Sequence, residues 1–184
     1  NVTGVQTCAL PIFPEVEYKS GGQLLVIGPG AAALDWASRL SPTLPVAALI
    51  TDGAGAELPE DRRFAVWSGK VTALSGWLGA FDVQWQAQNP IDLELCTRCN
   101  ACVRACPEGA IDLSYQVDLA KCQSHRACVT ACGPVGAIDF SRAATARTER
   151  FDLVLDLSRE PLLRQPDLPQ GYAAPGADPL DQAM

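Results

Sequence analysis

Basic residues are scarce in this chain: 14 Lys and Arg stand against 21 Asp and Glu among 184 residues, a formal net charge of −7. That balance argues against a nucleic-acid binder, which needs a basic footprint to meet the phosphates. Histidine is scarcer still, with one in the whole chain. No nucleophile, acid–base pair or oxyanion arrangement stands out, so no reaction of its own is assigned to the chain. No stretch reaches the roughly 18 apolar residues of a membrane span. The opening residues also lack the basic start and long apolar centre of a signal peptide. What is left, 48 % hydrophobic and 19 % charged, fits a soluble globular protein of one or two small domains.

Cysteine is not scarce. Eight occur, and seven of them fall between residues 96 and 132. The first group, Cys96, Cys99, Cys102 and Cys106 followed by Pro107, has the spacing C-x2-C-x2-C-x3-C-P. That is the bacterial spacing for a [4Fe–4S] cluster. Three thiolates within seven residues can wrap the corners of one cube. Four-coordinate zinc, the alternative, is usually met by two separated pairs. The fourth cysteine of such a run serves the other cluster in two-cluster proteins, and the proline keeps the helix from continuing. Thiols at metal spacing imply a reducing compartment, here the cytoplasm, rather than a disulfide framework.

The group repeats 26 residues later. Cys122, Cys128 and Cys132 match Cys96, Cys102 and Cys106, and Gly136-Ala137-Ile138 answers Gly109-Ala110-Ile111 after one inserted residue. Where the second cysteine of the repeat belongs stands His125. Over about residues 91 to 141 the chain resembles the dicluster bacterial ferredoxins. The resemblance implies two clusters with crossed ligands: Cys96, Cys99, Cys102 and Cys132 for one, Cys106, Cys122 and Cys128 for the other. Three readings of His125 stay open. It ligates iron through a ring nitrogen; it stands aside and leaves a [3Fe–4S] cluster or a solvent-ligated iron; or the second site is empty in the cell. In either occupied state the second site is expected at the higher potential, the direction seen when His replaces Cys in Rieske centres. Ala110-Ile-Asp-Leu113 and Ala137-Ile-Asp-Phe140 are expected as short strands covering the clusters.

Elsewhere the signals are weaker. Residues 2 to 12 resemble a translated sequencing adapter, so Cys8 is expected to have no role and the chain to be part of something longer. Leu24–Ile27, Ala31–Leu40 and Pro45–Thr51 alternate as strand, helix and strand. Gly28, Gly30 and Ala33 then fit G-x-G-x-x-G/A, with Asp52 where a ribose-binding acid belongs, the pattern of an FAD or NAD site. Pro29 removes one donor from that turn, and a plain αβ packing unit explains the same residues. Phe64–Trp67 and Lys70–Leu74 are expected as strands, Gly76–Gly79 as a turn, and Phe81, Val83 and Trp85 as the inward side of a half-buried strand. The segment from Gly69 to Val83, leading into the first cysteine group, is loosely similar to the A subunit of heterodisulfide reductases, which implies a flavin- or nicotinamide-dependent parent. Phe151–Leu157 reads as one further strand and the Pro-rich remainder as an unpacked tail.

The expected fold class is therefore α+β. An artefactual leader covers 1–13, a partly Rossmann-like αβ segment 14–90, a dicluster ferredoxin domain 91–141, and a single strand with a Pro-rich tail 142–184. The expected function is electron transfer through iron–sulfur clusters to redox partner proteins. The alternatives are a slice of a flavin- or nicotinamide-dependent oxidoreductase, in which the clusters form an internal relay, and a purely structural iron–sulfur protein.

Overall fold

A computed structural model of the protein describes residues 19–52, 56–59, 63–142, 145–163 and 168–174. The expected leader, including the adapter-like residues 2 to 12, lies outside them. Strand β1 (Leu24–Pro29), helix α1 (Gly30–Leu40) and strand β2 (Val46–Asp52) form the expected β-α-β unit, with β1 and β2 parallel from Leu24↔Val46 onwards. Five consecutive buried residues in β1 and four in β2 are what a parallel strand covered on both faces requires.

Strand β3 (Ala65–Ser75) is continuous where two strands were expected. Its first four residues pair parallel with β2, and from Gly69 onwards it pairs antiparallel with β4 (Phe81–Ala87). The hand-over explains the glycine. A Cβ at position 69 would lie 2.4 Å from Gln86 O, so what looks like a strand-breaker in the sequence is a point of close backbone approach. Gly76 and Gly79, with φ of 127° and 83°, make the β3–β4 turn. Phe81, Val83 and Trp85 face inward, as their alternation predicts.

The C-terminal expectation needs correction. In place of one strand and an unpacked tail there are β5 (Ala146–Phe151), β6 (Leu153–Asp156) and β7 (Tyr172–Ala173). All seven strands form one mixed sheet in the order β5-β4-β3-β2-β1-β6-β7. β5 escaped notice because it is a polar edge strand that buries only Phe151. β6 lies parallel to β1, and β7 parallel to β6. Strands on either side of the cysteine region therefore share a sheet, and that region enters between β4 and β5 as an insertion. Ala87 N–H donates to Thr145 O at 3.0 Å and closes its base.

Each face of the sheet has its own core. On one, Leu24, Val26, Ala48, Ile50 and Val66 pack with Ala33 and Leu34 of α1 and with Ile91, Leu93, Tyr115 and Ile138 of the insertion. On the other, Leu25, Ile27 and Leu49 pack with Phe81, Trp85, Leu163 and Tyr172. The insertion itself has single bridges at Ile91↔Ile138 and Ile111↔Val117 rather than the short strands expected. No helix among the described residues is long and apolar enough to cross a membrane.

Tyr172 shows why the tail packs. Its hydroxyl donates to Asp156 Oδ2 at 2.5 Å, and the carboxylate is fully buried at the end of β6. The same carboxylate accepts the N–H groups of Ser158 and Leu162, at 2.9 and 2.8 Å. Burial pushes the Tyr172 phenol well above its ordinary range. Tyr172→Phe should cost about 1–3 kcal/mol, the usual cost of leaving a buried acceptor short of a donor. A lower urea midpoint with unchanged m-value is the expected readout.

Candidate metal centre

Both halves of the insertion begin with the same local device. Asp92 Oδ1 accepts the N–H groups of Glu94 and Leu95, while Asp92 O accepts Cys96 N–H at 3.0 Å. Twenty-six residues later Asp118 does the same for Ala120, Lys121 and Cys122. Aspartate suits this position because its short carboxylate satisfies the amides two and three residues on. Cys96 and Cys122 are thereby delivered to equivalent starting points.

The loops then wind through left-handed residues at the same offset: Arg98 (φ 56°) and Asn100 (59°) in the first, Ser124 (62°) and Arg126 (60°) in the second. A non-glycine residue in this region costs about 1–2 kcal/mol. Repetition of the same strain at matching positions shows that the winding is specified. Alternating right- and left-handed residues turns successive amides into a concavity suited to an anion. Two five-residue helices follow, α2 (Ala101–Ala105) and α3 (Ala127–Ala131), and they bury Cys102 and Cys128. Gly109 and Gly136, with φ of 58° and 65°, turn the chain back. Asp112 and Asp139 each cap a further turn by accepting from Ser114 and Ser141.

Cys96, Cys99 and Cys102 line a cavity, and the fourth thiol in its wall is Cys132 rather than Cys106. Ile91, Tyr115, Val135 and Ile138 supply apolar lining. Cys128 in turn has Cys106 and Cys122 as its charge neighbours. Ala110 N–H donates to Cys106 Sγ at 3.4 Å, the kind of bond to sulfur that tunes a cluster. Burial pushes the Cys102 thiol up to about 11 and raises Cys96 and Cys128 as well. Exposed Cys99 is lowered, chiefly by the Ala101 N–H. Iron must therefore displace protons from the buried thiols, and loading is coupled to proton release.

The donor set fits a cluster. Among the described residues no three His, Cys, Asp or Glu side chains converge on a point that would hold a single ion. Four thiols in the wall of one cavity are the number of donors that a [4Fe–4S] cluster takes.

His125 lies between Ser124 and Arg126, just as Cys99 lies between Arg98 and Asn100. Its side chain is half exposed, and Nδ1 is 4.0 Å from Glu108 Oε1. The nucleotide-type residues are placed differently. A Cβ on Gly28 would lie 2.7 Å from Leu157 Cβ, and one on Gly30 would lie 2.7 Å from Ala56 Cβ and 3.1 Å from Asp52 O. Both glycines thus permit close packing of this chain against itself, and Ala33 is a buried core residue of α1. Asp52 ends β2 at the rim of a cleft of about 660 Å³ between the sheet and residues 109–121.

Sequence reasoning missed the residues that fasten the insertion to the sheet. Arg98 Nη1 donates to Leu58 O at 3.3 Å and to Pro59 O. Glu94 Oε1 accepts Val66 N–H at 2.7 Å, and Gln116 Oε1 accepts from Ser68 Oγ at 2.9 Å. Their partners are 28 to 48 residues away, so no local pattern signals them.

Residues 90–112 match the 4Fe-4S binding domain family. Over 59 residues, 32 % of this chain, the protein is 36 % identical to the pyruvate synthase subunit PorD of Methanothermobacter marburgensis and covers 72 % of that subunit. With the thiol-lined cavity and this match together, the chain belongs to the family of 4Fe-4S binding domain proteins that includes this subunit.

Proposed function

We propose that the chain is an electron-transfer module with two iron–sulfur sites, held by thiols that cross between the repeats. The observation that carries this reading is Cys132 in the wall of the Cys96–Cys99–Cys102 cavity, 26 residues after its repeat-mate Cys106. The first site would hold a [4Fe–4S] cluster on Cys96, Cys99, Cys102 and Cys132. The second would use Cys106, Cys122 and Cys128, with His125 at the position of the fourth donor. Such clusters supply one-electron redox chemistry at potentials set by burial and by hydrogen bonds to sulfur. The chain's own residues wrap the thiols, exclude water with Ile91, Tyr115 and Ile138, and donate Ala110 N–H to Cys106.

An acidic surface, at a formal net charge of −7, suits docking on a basic patch of a redox partner protein, with charge acting on the association rate. The relative's name makes it a subunit of an enzyme, which supports a partner of that kind. A second reading, an internal relay in a flavin- or nicotinamide-dependent oxidoreductase, draws support from the insertion of the cysteine region into a sheet with a parallel half. Stoichiometric flavin or NAD in a longer parent protein, lost on Asp52→Ala, would favour it.

Crossed ligation makes an unusual demand on single substitutions. Cys106→Ala should damage the second cluster more than the first, and Cys132→Ala the reverse, when each is followed by EPR and by iron and sulfide counts after anaerobic reconstitution. Each should also lower thermal stability, because cluster binding in so small a unit is largely folding energy. Loss of only the cluster of the mutated motif would reject the crossed arrangement.

Position 125 is tested by two substitutions side by side. His125→Cys should lower the second potential toward the first, by on the order of 100 mV if the Rieske trend carries over. His125→Ala should change both the EPR signal and the potential if the imidazole ligates. An unchanged signal and potential would leave the second site as [3Fe–4S] or solvent-ligated.

A further inference from the structure

The two loops share one winding but are not held in the same way. Tyr115 is buried, lies in the wall of the first cavity, and itself has a left-handed backbone at φ 54°. Its hydroxyl sits 2.5 Å from Asn100 Oδ1 and 3.3 Å from Arg98 O. Those are the two strained residues that wind the Cys96–Cys102 loop. The Tyr115 carbonyl accepts from Asn89 Nδ2 at 2.9 Å, and Asn89 Oδ1 accepts the N–H groups of Ile91 and Val117. Ile91 and Val117 are the bridge residues that begin the two repeats. One chain of hydrogen bonds thus runs from the start of both halves, through Tyr115, to the strained turn of the first loop. Arg98 is tied further to Leu58 O and Pro59 O, which lie between β2 and β3.

The second loop has a different partner at the matching place. One repeat before Tyr115 stands Asn89, whose side chain is spent on the bonds just described. Arg126, the counterpart of Asn100, lays its guanidinium 3.7 Å over the Phe140 ring.

We propose that Tyr115 is a positioning residue that holds the first loop in its cluster-binding winding before iron arrives, so that the first site fills first and sheds its cluster last. The strain of two left-handed residues would otherwise oppose the wound loop in the metal-free chain. A hydroxyl clamp offsets it in advance and so reduces the ordering cost met at binding. The proposal rests on the two-site reading above for its account of order, but its clamp concerns the first site alone.

The test compares the full chain with Tyr115→Phe, which keeps the ring and removes only the hydroxyl. Anaerobic reconstitution with ⁵⁷Fe is sampled over time by Mössbauer and EPR spectroscopy. The signal of each site is assigned by its loss in Cys99→Ala or Cys122→Ala. In the unmodified chain the first signal should precede the second. Tyr115→Phe should slow the first by roughly three- to tenfold, the worth of one or two net hydrogen bonds, and leave the second unchanged. It should also speed loss of the first cluster to a chelator and shift its midpoint potential, which a purely structural role far from the cluster would not do. Asn100→Ala should act in the same direction, and the double variant should add little. Wild-type filling, retention and potential of the first site in Tyr115→Phe would overturn the clamp. An unmodified chain that never holds more than one cluster would instead defeat the two-site reading, while the retention and potential arms still decide the clamp.

Discussion

Cys132 reaching the cavity of Cys96, Cys99 and Cys102 is the constraint on which the inserted region depends. A repeat of this size buries too little apolar surface to stand alone. In the proposed arrangement the repeats share donors, so that neither half would complete its own set. Folding of one half would then be conditional on the other, and the bridges Ile91↔Ile138 and Ile111↔Val117 join the two halves. The bridge residues do double duty, since Ile91, Ile111 and Ile138 belong to the same core as Leu24, Val26 and Ala33 and Leu34 of α1. The thiol sites are consequently packed against a sheet and do not hang from a linker.

Insertion into an antiparallel strand pair gives this arrangement its rigidity. β4 and β5 run side by side from Phe81↔Phe151 to Gln86↔Ala146, so the two ends of the insertion leave the sheet together. Fixed, adjacent ends lower the entropy that the inserted loop must lose on folding. Side-chain ties from Glu94, Arg98 and Gln116 to β3 and to residues 58–59 then set its orientation. Electron transfer benefits directly, because a site held on a rigid scaffold need not reorganise its surroundings when its charge changes.

The glycines illustrate how one residue type serves different demands. Gly109 and Gly136 have open space around them and are required by their positive φ. Gly28, Gly30 and Gly69 have no such requirement; a side chain there would meet Leu157, Ala56 or Gln86. A nucleotide fingerprint and a tight self-packing turn therefore look alike in sequence, because both need a backbone that something can approach closely.

Spacing alone determined the chemistry of this protein and the positions of its thiols. Metal ligation is a local demand in which a few residues must reach one object, and the closely spaced Cys96, Cys99, Cys102 and Cys106 signal it. The β-α-β unit and the inward alternation of Phe81, Val83 and Trp85 were legible for a similar reason, since period and burial coincide within one element. Tertiary structure alone decided the rest. β5 joined the sheet through its backbone, with a polar sequence that carries no apolar signal. Residues 172–173 were brought to the sheet by pairing with β6 and by the buried Tyr172–Asp156 hydrogen bond between residues 16 apart. The unequal support of the two loops depends on Tyr115 meeting Asn100 and Arg98 across the fold. Those interactions join residues whose partners are chosen by three-dimensional packing, and no periodicity along the chain encodes them.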